Sequence, residues 1–304
     1  MKQKLNSAVF VSVPDLMQVR RRVKSSLLKN NRKNLVFQSG EQKTFLRTKG
    51  MNFEEIRPYQ QGDDVRQIDW RVTAKYGRPF TKVYLDETKQ SVHFLVDMRC
   101  GMHFATEGVF KSVEAASMSA FLVWIFLARQ NDVRFHLMKC DTVSSSGVIK
   151  GEAALTTFFK ELSEASKPTD KKDVISFSRG IHHVSPLLKK GSMLFILSDF
   201  YDLSDEDISF LKKMTVSHHL FLIHIYDAIE AVLPKGISSF VVEGKEIVIQ
   251  GNLSQQEAYR IRFETLQQRL QKLAFDVQGG YLSVLTRDNY FDILNEMMDI
   301  KGLK

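Results

Sequence analysis

The chain has 304 residues, 43% apolar and 26% charged, enough for one large domain or two modest ones around a substantial core. Sixteen glycines and six prolines exclude a collagenous or low-complexity chain, and two cysteines, Cys100 and Cys140, exclude a disulfide framework. The formal net charge of +8 is unevenly spread: residues 1–50 hold 12 Lys/Arg against Asp15 and Glu41, and the other 254 residues hold 31 basic against 33 acidic side chains.

Unpaired cysteines and a start without an apolar signal core predict a cytoplasmic, reducing location. The longest apolar stretch, Ala115 to Ala128, falls short of the roughly 20 residues that span a bilayer and predicts a buried helix, so no transmembrane segment is expected.

In chain order, Leu16, Val19, Val23 and Leu27 recur at helical spacing between Arg20, Arg21, Arg22 and Lys24. They predict a basic amphipathic helix within an N-terminal arm, residues 1–34. A basic arm also suits nucleic acid or an anionic membrane surface, but no interleaved aromatics accompany it, so no nucleic-acid partner is expected. Residues 35–90, rich in Gly, Arg, Asp and aromatics, read as a small segment of short strands and turns. From residue 91 onward three apolar runs of strand length, Ser91–Val96, Ser192–Leu197 and His219–Ile225, alternate with helical stretches, the pattern of a parallel sheet covered on both faces. Glu107 to Gln130 reads as a buried crossover helix, Val133–Lys139 with Val143–Ile149 as an edge hairpin, and Glu152–Ser163 and Ile175–Lys189 as weaker helices. Ser204 followed by Asp205, Glu206 and Asp207 marks a helix start running to Met214. Ser238–Val248 reads as a hairpin, and the stripe Tyr259, Phe263, Leu266, Leu270, Leu273 as the core face of a helix.

Each of the three strands is followed by an acid: Asp97, Asp199 after Ser198, and Asp227 after Tyr226. Open α/β sheets place their sites at the carboxyl ends of such strands, which predicts a rim of Asp97, Arg99, Asp199, Tyr201 and Asp227. A second dense cluster, Arg57, Tyr59, Gly62, Asp63, Asp64, Arg66, Asp69 and Trp70, reads as a charge network in which arginine–carboxylate pairs brace the small segment, or as a partner site. Gly62 predicts a turn, with Asp63 or Asp64 capping the helical turn after it. Nucleophile elbows, dinucleotide and phosphate-loop signatures are absent, and His182-His183 and His218-His219 lack the spacing and cysteines of a zinc site, so no catalytic residue is expected.

The run Gly50-Met51-Asn52-Phe53-Glu54-Glu55-Ile56-Arg57-Pro58-Tyr59, then Gly62-Asp63-Asp64-Val65-Arg66-Gln67-Ile68-Asp69-Trp70, Thr73-Ala74-Lys75, Gly77-Arg78-Pro79 and Glu87, resembles the bacterial domain-of-unknown-function family number 58. The likeness continues through Asp97, Leu197-Ser198-Asp199-Phe200, Asp227 and Leu233-Pro234. The resemblance implies an α/β fold in which residues 91–304 form a von Willebrand factor A-like, doubly wound, mostly parallel sheet, preceded by the small β-rich segment and the basic helix. It also implies a non-enzymatic protein-binding adaptor or chaperone-like partner of a MoxR-type AAA+ ATPase. The same likeness brings a metal-ion-dependent adhesion site of Asp-x-Ser-x-Ser, a later Thr and a later Asp, all oxygen ligands for Mg²⁺ or Mn²⁺. Asp97 and Asp199 match two of these ligands, whereas Arg99 and Gly101 stand at the serine positions and Lys171-Lys172-Asp173 near that of the threonine. The expectation is therefore a degenerate site without a cofactor. A metal-dependent adhesion binder, or a nucleic-acid or membrane-surface binder using the basic arm, stands as the alternative.

Overall fold

The computed structural model describes residues 8–29, 36–39, 42–45, 55–60, 65, 68–83, 89–169, 174–233, 236–242, 245–251, 253–291 and 293. Its elements are α1 (Val13–Lys29), β1 (Val36–Ser39), β2 (Gln42–Phe45), β3 (Glu55–Pro58), α2 (Trp70–Tyr76), β4 (Phe80–Val83), β5 (Ser91–Asp97), α3 (Lys111–Ala128), β6 (Asp132–Met138), β7 (Val143–Ser145), α4 (Gly151–Ala165), α5 (Phe177–Val184), β8 (Met193–Ser198), α6 (Asp205–Met214), β9 (His219–Tyr226), α7 (Ala228–Ala231), β10 (Gly236–Val242), β11 (Lys245–Gly251), α8 (Leu253–Asp276) and β12 (Gly280–Leu285). They fall into two compact units, residues 1–46 together with 90–304, and residues 47–89.

In the larger unit, six strands form one sheet in the order β12-β9-β8-β5-β6-β7, parallel throughout except for antiparallel β7 at one edge. Numbered within the sheet this is 3-2-1-4-5-6, the doubly wound order, and the direction of winding reverses between β5 and β8. Alternate residues of the central strands β5, β8 and β9 enter opposite layers, so neither face of them meets water and their runs are continuously apolar. Phe94, Phe135, Phe195 and Phe221 face α1, α3 and α4 as a ladder of stacked rings with neighbouring centroids 4.7–5.2 Å apart. Leu95, Leu194, Ile196 and Leu222 face the other way, against Phe177 and Ile181 of α5, Leu211 of α6, and Leu270 and Leu273 of α8.

Helix α1 is part of this body, not a detached arm. Leu16, Val19 and Val23 are buried in the same core as α3, and the Trp124 indole donates to the Leu16 carbonyl at 3.3 Å. Helix α3 is, among the described residues, the one helix long and apolar enough to cross a membrane by length and composition; it lies buried inside the unit. The hairpin expected about Glu243 is present as β10 and β11. Helix α6 begins with a capping box, the Ser204 hydroxyl accepting from the Asp207 amide while the Asp207 carboxylate accepts from that of Ser204.

Several expectations are corrected. Cys100 and Cys140 are joined as a disulfide, with Cα atoms 5.6 Å apart, so the premise of unpaired cysteines does not hold. The stripe of α8 is buried only at its C-terminal end; Tyr259 is exposed. Strand β12 was not foreseen, because Ser283 and the flanking glycines interrupt its apolar pattern.

The smaller unit pairs β3 with β4, antiparallel. A two-turn helix, α2, stands where only strands and turns were expected, too short to show a helical period. Asp69 caps it, accepting from the amides of Arg71 (2.9 Å) and Val72 (3.1 Å), and Gly77 closes it at φ 68°, a left-handed conformation that glycine adopts without a Cβ penalty. The Asp69 amide donates to the Phe80 carbonyl and the Thr73 hydroxyl accepts from the Phe80 amide, which fixes α2 on β4.

Candidate functional site

Strands β5 and β8 are neighbours at the point where the winding reverses, and their last residues, Asp97 and Ser198, mark the carboxyl edge. Arg99 turns back over this edge. Its Nε donates to Asp97 Oδ1 at 3.0 Å and its Nη2 to Asp97 Oδ2 at 2.8 Å. Its outer edge donates from Nη1 to Asp202 Oδ2 at 2.8 Å and from Nη2 to Asp202 Oδ1 at 2.9 Å, and Nη1 also reaches the Ile175 carbonyl at 3.0 Å. A planar guanidinium thus holds two carboxylates, each through both of its oxygens. The Ser198 hydroxyl donates to Asp97 Oδ2 at 2.7 Å, and Asp202 Oδ2 accepts from the Phe177 amide at the head of α5. Burial opposes the charge on Arg99, but Asp97 and Asp202 outweigh it and raise its pKa.

Arg99 does not draw the rim aspartates Asp97 and Asp199 into one cluster. The partner of Arg99 is instead Asp202, and Asp199 belongs to a second cation. Lys111, 2% exposed at the head of α3, donates from Nζ to Asp199 Oδ2 at 2.7 Å and to Glu230 Oε1 at 2.6 Å. Burial pulls the Lys111 pKa down, and the two carboxylates more than restore it. Burial likewise raises Asp199, and Lys111 overcomes that and holds its carboxyl below the usual range. The chain turns sharply at Phe200, where φ is 52°. Its ring is buried near that of Phe177, with centroids 5.5 Å apart, and the next side chain, Tyr201, is 65% exposed with the Arg262 guanidinium 4.4 Å from its ring.

Asp227 is a buried tie, not a surface group. It caps α7, accepting from the Ile229 amide, and binds both the amide and hydroxyl of Thr106 and the Thr286 hydroxyl, which joins the ends of β9 and β12 to the loop before α3. Burial pushes its carboxyl up, and these bonds, led by that of the Thr106 hydroxyl, hold it below the usual range. Glu230 completes the α7 capping box, its Oε2 accepting from the Asp227 amide at 2.7 Å. Of the five expected rim residues, Tyr201 is therefore the exposed one. Asp97, Arg99, Asp199 and Asp227 form the framework beneath it. Lys111, Asp202 and Glu230 went unread. Glu230 had a legible signal, the Asp-x-x-Glu spacing of a capping box. Lys111 stood at the head of a mostly apolar, buried helix, where a cation needs a carboxylate partner.

The implied metal does not fit these residues. Both aspartates that match the adhesion motif are already neutralised by side-chain cations, and the serine positions carry Arg99 and Gly101. A hard divalent ion needs several free oxygen donors. The threonine position, near Lys171-Lys172-Asp173, lies outside the described residues, as do Gly62, Asp63, Asp64 and Arg66 of the second cluster. In that cluster Arg57 lies in β3, Tyr59 donates its amide to the Pro79 carbonyl, Asp69 caps α2, and Trp70 is 71% exposed.

A family model described as "Protein of unknown function DUF58" matches residues 55–272. Two curated relatives, "Uncharacterized protein Rv1480" of Mycobacterium tuberculosis and "Uncharacterized protein Mb1516" of Mycobacterium bovis, are each 37% identical over 71 residues. That match spans 22% of this chain and 22% of each relative's own length. Similar solved structures include the conserved hypothetical protein BatB from Bacteroides thetaiotaomicron, 13% identical, covering 69% of this chain and 97% of that one, with a TM-score of 0.43. The SpRpn10 VWA domain is 11% identical, covering 71% and 100%, with a TM-score of 0.39.

Proposed function

We propose, from the premise that this chain belongs to the DUF58 family, that it is a non-enzymatic protein-binding adaptor whose recognition surface is the carboxyl rim of its doubly wound sheet, and that its partner is a MoxR-type AAA+ ATPase. One observation carries this reading. At the switch point, where α/β sheets concentrate their ligands, four carboxylates are locked by two side-chain cations beneath an exposed tyrosine. Such a platform needs no metal to stand, and an exposed aromatic over a rigid, charged base is the composition of a protein-contact surface rather than of a nucleophile and its base.

Because Asp199 is buried against Lys111, reversing its charge would disturb the framework itself; Tyr201 is the informative position. Purified chain mixed with a purified MoxR-type ATPase, with and without nucleotide, should form a complex that Tyr201→Ala weakens about tenfold, in the range of an interface aromatic. Circular dichroism of the variant should be unchanged. Absence of a complex in every nucleotide state, or a complex indifferent to Tyr201 but lost when the arginines of α1 are replaced, would overturn the reading.

A further inference from the structure

Of the two tryptophans, one is built into the core and the other stands outside it. Trp124 is buried, its indole donating to the Leu16 carbonyl and the Arg20 guanidinium lying 5.0 Å from its ring. Trp70 is 71% exposed at the start of α2 in the smaller unit, a helix that buries none of its seven residues. The face of α2 with Thr73 and Tyr76 is the one held to β4, through the Phe80 amide on the Thr73 hydroxyl and through the Tyr76 and Phe80 rings, 5.5 Å apart. The opposite face carries Trp70 and Ala74 at i and i+4, with Arg71 and Lys75 in the adjoining row.

Charge decides what this face meets. From Trp70 to Phe80 the chain has three cations, Arg71, Lys75 and Arg78, all exposed, and no acid. Lys75 Nζ lies 5.5 Å from the Tyr76 ring and the Arg78 guanidinium 5.4 Å from that of Phe80, so aromatic surface supports both side chains while their charges stay in water. Among the described residues no carboxylate forms an ion pair with any of the three. Asp69, the acid that precedes them, accepts from the Arg71 and Val72 amides as the cap of α2. Three positive charges thus surround one exposed indole.

We infer that this face docks the smaller unit on an anionic lipid surface, with the Trp70 indole in the headgroup layer and Arg71, Lys75 and Arg78 against lipid phosphates. Tryptophan among Lys and Arg is the composition of membrane interfaces, because the indole has an apolar body and a polar N–H and the long cationic side chains reach the headgroups. A fluid surface also suits a ridge: α2 has no buried residue, whereas a folded partner needs a complementary shape against which to exclude water. A nucleic-acid strand stacks successive bases on successive rings, and here one ring stands free, that of Tyr76 being engaged by Phe80 and Lys75. The rim belongs to the larger unit, so the inference goes beyond the adaptor reading and does not depend on it.

The test follows the fluorescence of Trp70, the exposed one of two tryptophans, in the full chain. Vesicles of equimolar phosphatidylcholine and phosphatidylglycerol should move its emission to shorter wavelength, saturably and reversibly with salt, and brominated acyl chains should quench it; phosphatidylcholine alone should do neither. Arg71→Gln, Lys75→Gln and Arg78→Gln together should weaken co-sedimentation with the anionic vesicles about a hundredfold, at about fivefold per cation, and Trp70→Ala about tenfold. Arg71→Lys with Arg78→Lys, which keeps the charge, should bind like the parent. Circular dichroism should be unchanged in every variant, because the altered side chains are exposed. Binding without a change in Trp70 emission would place the contact elsewhere, on basic helix α1 first of all, and overturn the proposal. Equal binding to neutral vesicles, an equal emission shift with single-stranded DNA or polyglutamate, or no binding at all would do the same.

Discussion

Arg99 and Lys111 decide how the rim holds together. Each is a buried cation bridging an inner and an outer carboxylate, and each joins elements far apart in the chain: Arg99 ties the end of β5 to the loop after β8 and to the approach to α5, and Lys111 ties the head of α3 to the end of β8 and to α7. Removing one member of a buried pair costs more than the pair contributes, since the remaining charge is left without its solvent and without its partner. Arg99→Ala should therefore destabilise the chain by roughly 3–5 kcal/mol, less whatever part Asp202 recovers by meeting water. Arg99→Lys, which keeps the charge and loses the second fork, should fall between. Chemical denaturation of the three proteins checks this order, and an Arg99→Ala variant as stable as the parent would show that the pair does not brace the rim. These ties were only half legible in the sequence. Asp97 with Arg99 is a local pattern, but Asp202 and Lys111 enter through tertiary folding, and nothing in the spacing of residues 97 to 230 pairs them.

Elements carry a different kind of information. Helix α6 was legible to the residue because its start signal is local: Ser204 and Asp207 cap each other whatever lies around them. Ser204→Ala should cost about 1 kcal/mol, the usual worth of an N-cap hydroxyl, visible as a small drop in melting temperature. Strand β12 and helix α2 were illegible, one because polar and glycine residues break its run, the other because seven residues show no period. Strands β5 and β6 hide a feature that their apolar pattern masks. His93 and His136 stack with ring centroids 5.3 Å apart, joined through Nδ1 and Nε2 at 3.0 Å, and His136 continues to the Ser145 hydroxyl and on to His183. Burial, the leading cause in each case, lowers His93 to about 4 and His136 to about 3; it also lowers His224 in β9 to about 4. The unfolded imidazoles take up protons near pH 6.5 and the folded ones only at those lower values, so stability is full above pH 6.5 and falls as pH drops toward 4. By pH 5 an isolated imidazole of this kind accounts for about 2 kcal/mol. Urea titrations at pH 7.5 and pH 5 should show that loss, and His224→Asn should reduce it; a midpoint independent of pH would contradict the buried, neutral assignment.

At the scale of the whole molecule, the kind of sheet was readable because continuous apolar runs separated by helices call for parallel strands covered on both faces, whereas the order of the strands rests on long-range pairing, including the unforeseen β12, that no local pattern encodes. The role of charge was less readable. Residues 1–50 carry a large basic excess that drew attention to the N-terminus, yet α1 buries Leu16, Val19 and Val23 in the main core, and the concentrated electrostatics lie at the opposite kind of feature, the acidic edge of the sheet. Two buried cations there pair with the rim carboxylates, and the proposal that this leaves no place for a metal ion is the claim on which the reading of the rim depends. It is tested most directly by calorimetric titration of the intact chain with Mn²⁺ near neutral pH. No saturable heat should appear. One-to-one binding at micromolar affinity, lost in Asp97→Asn, would contradict it.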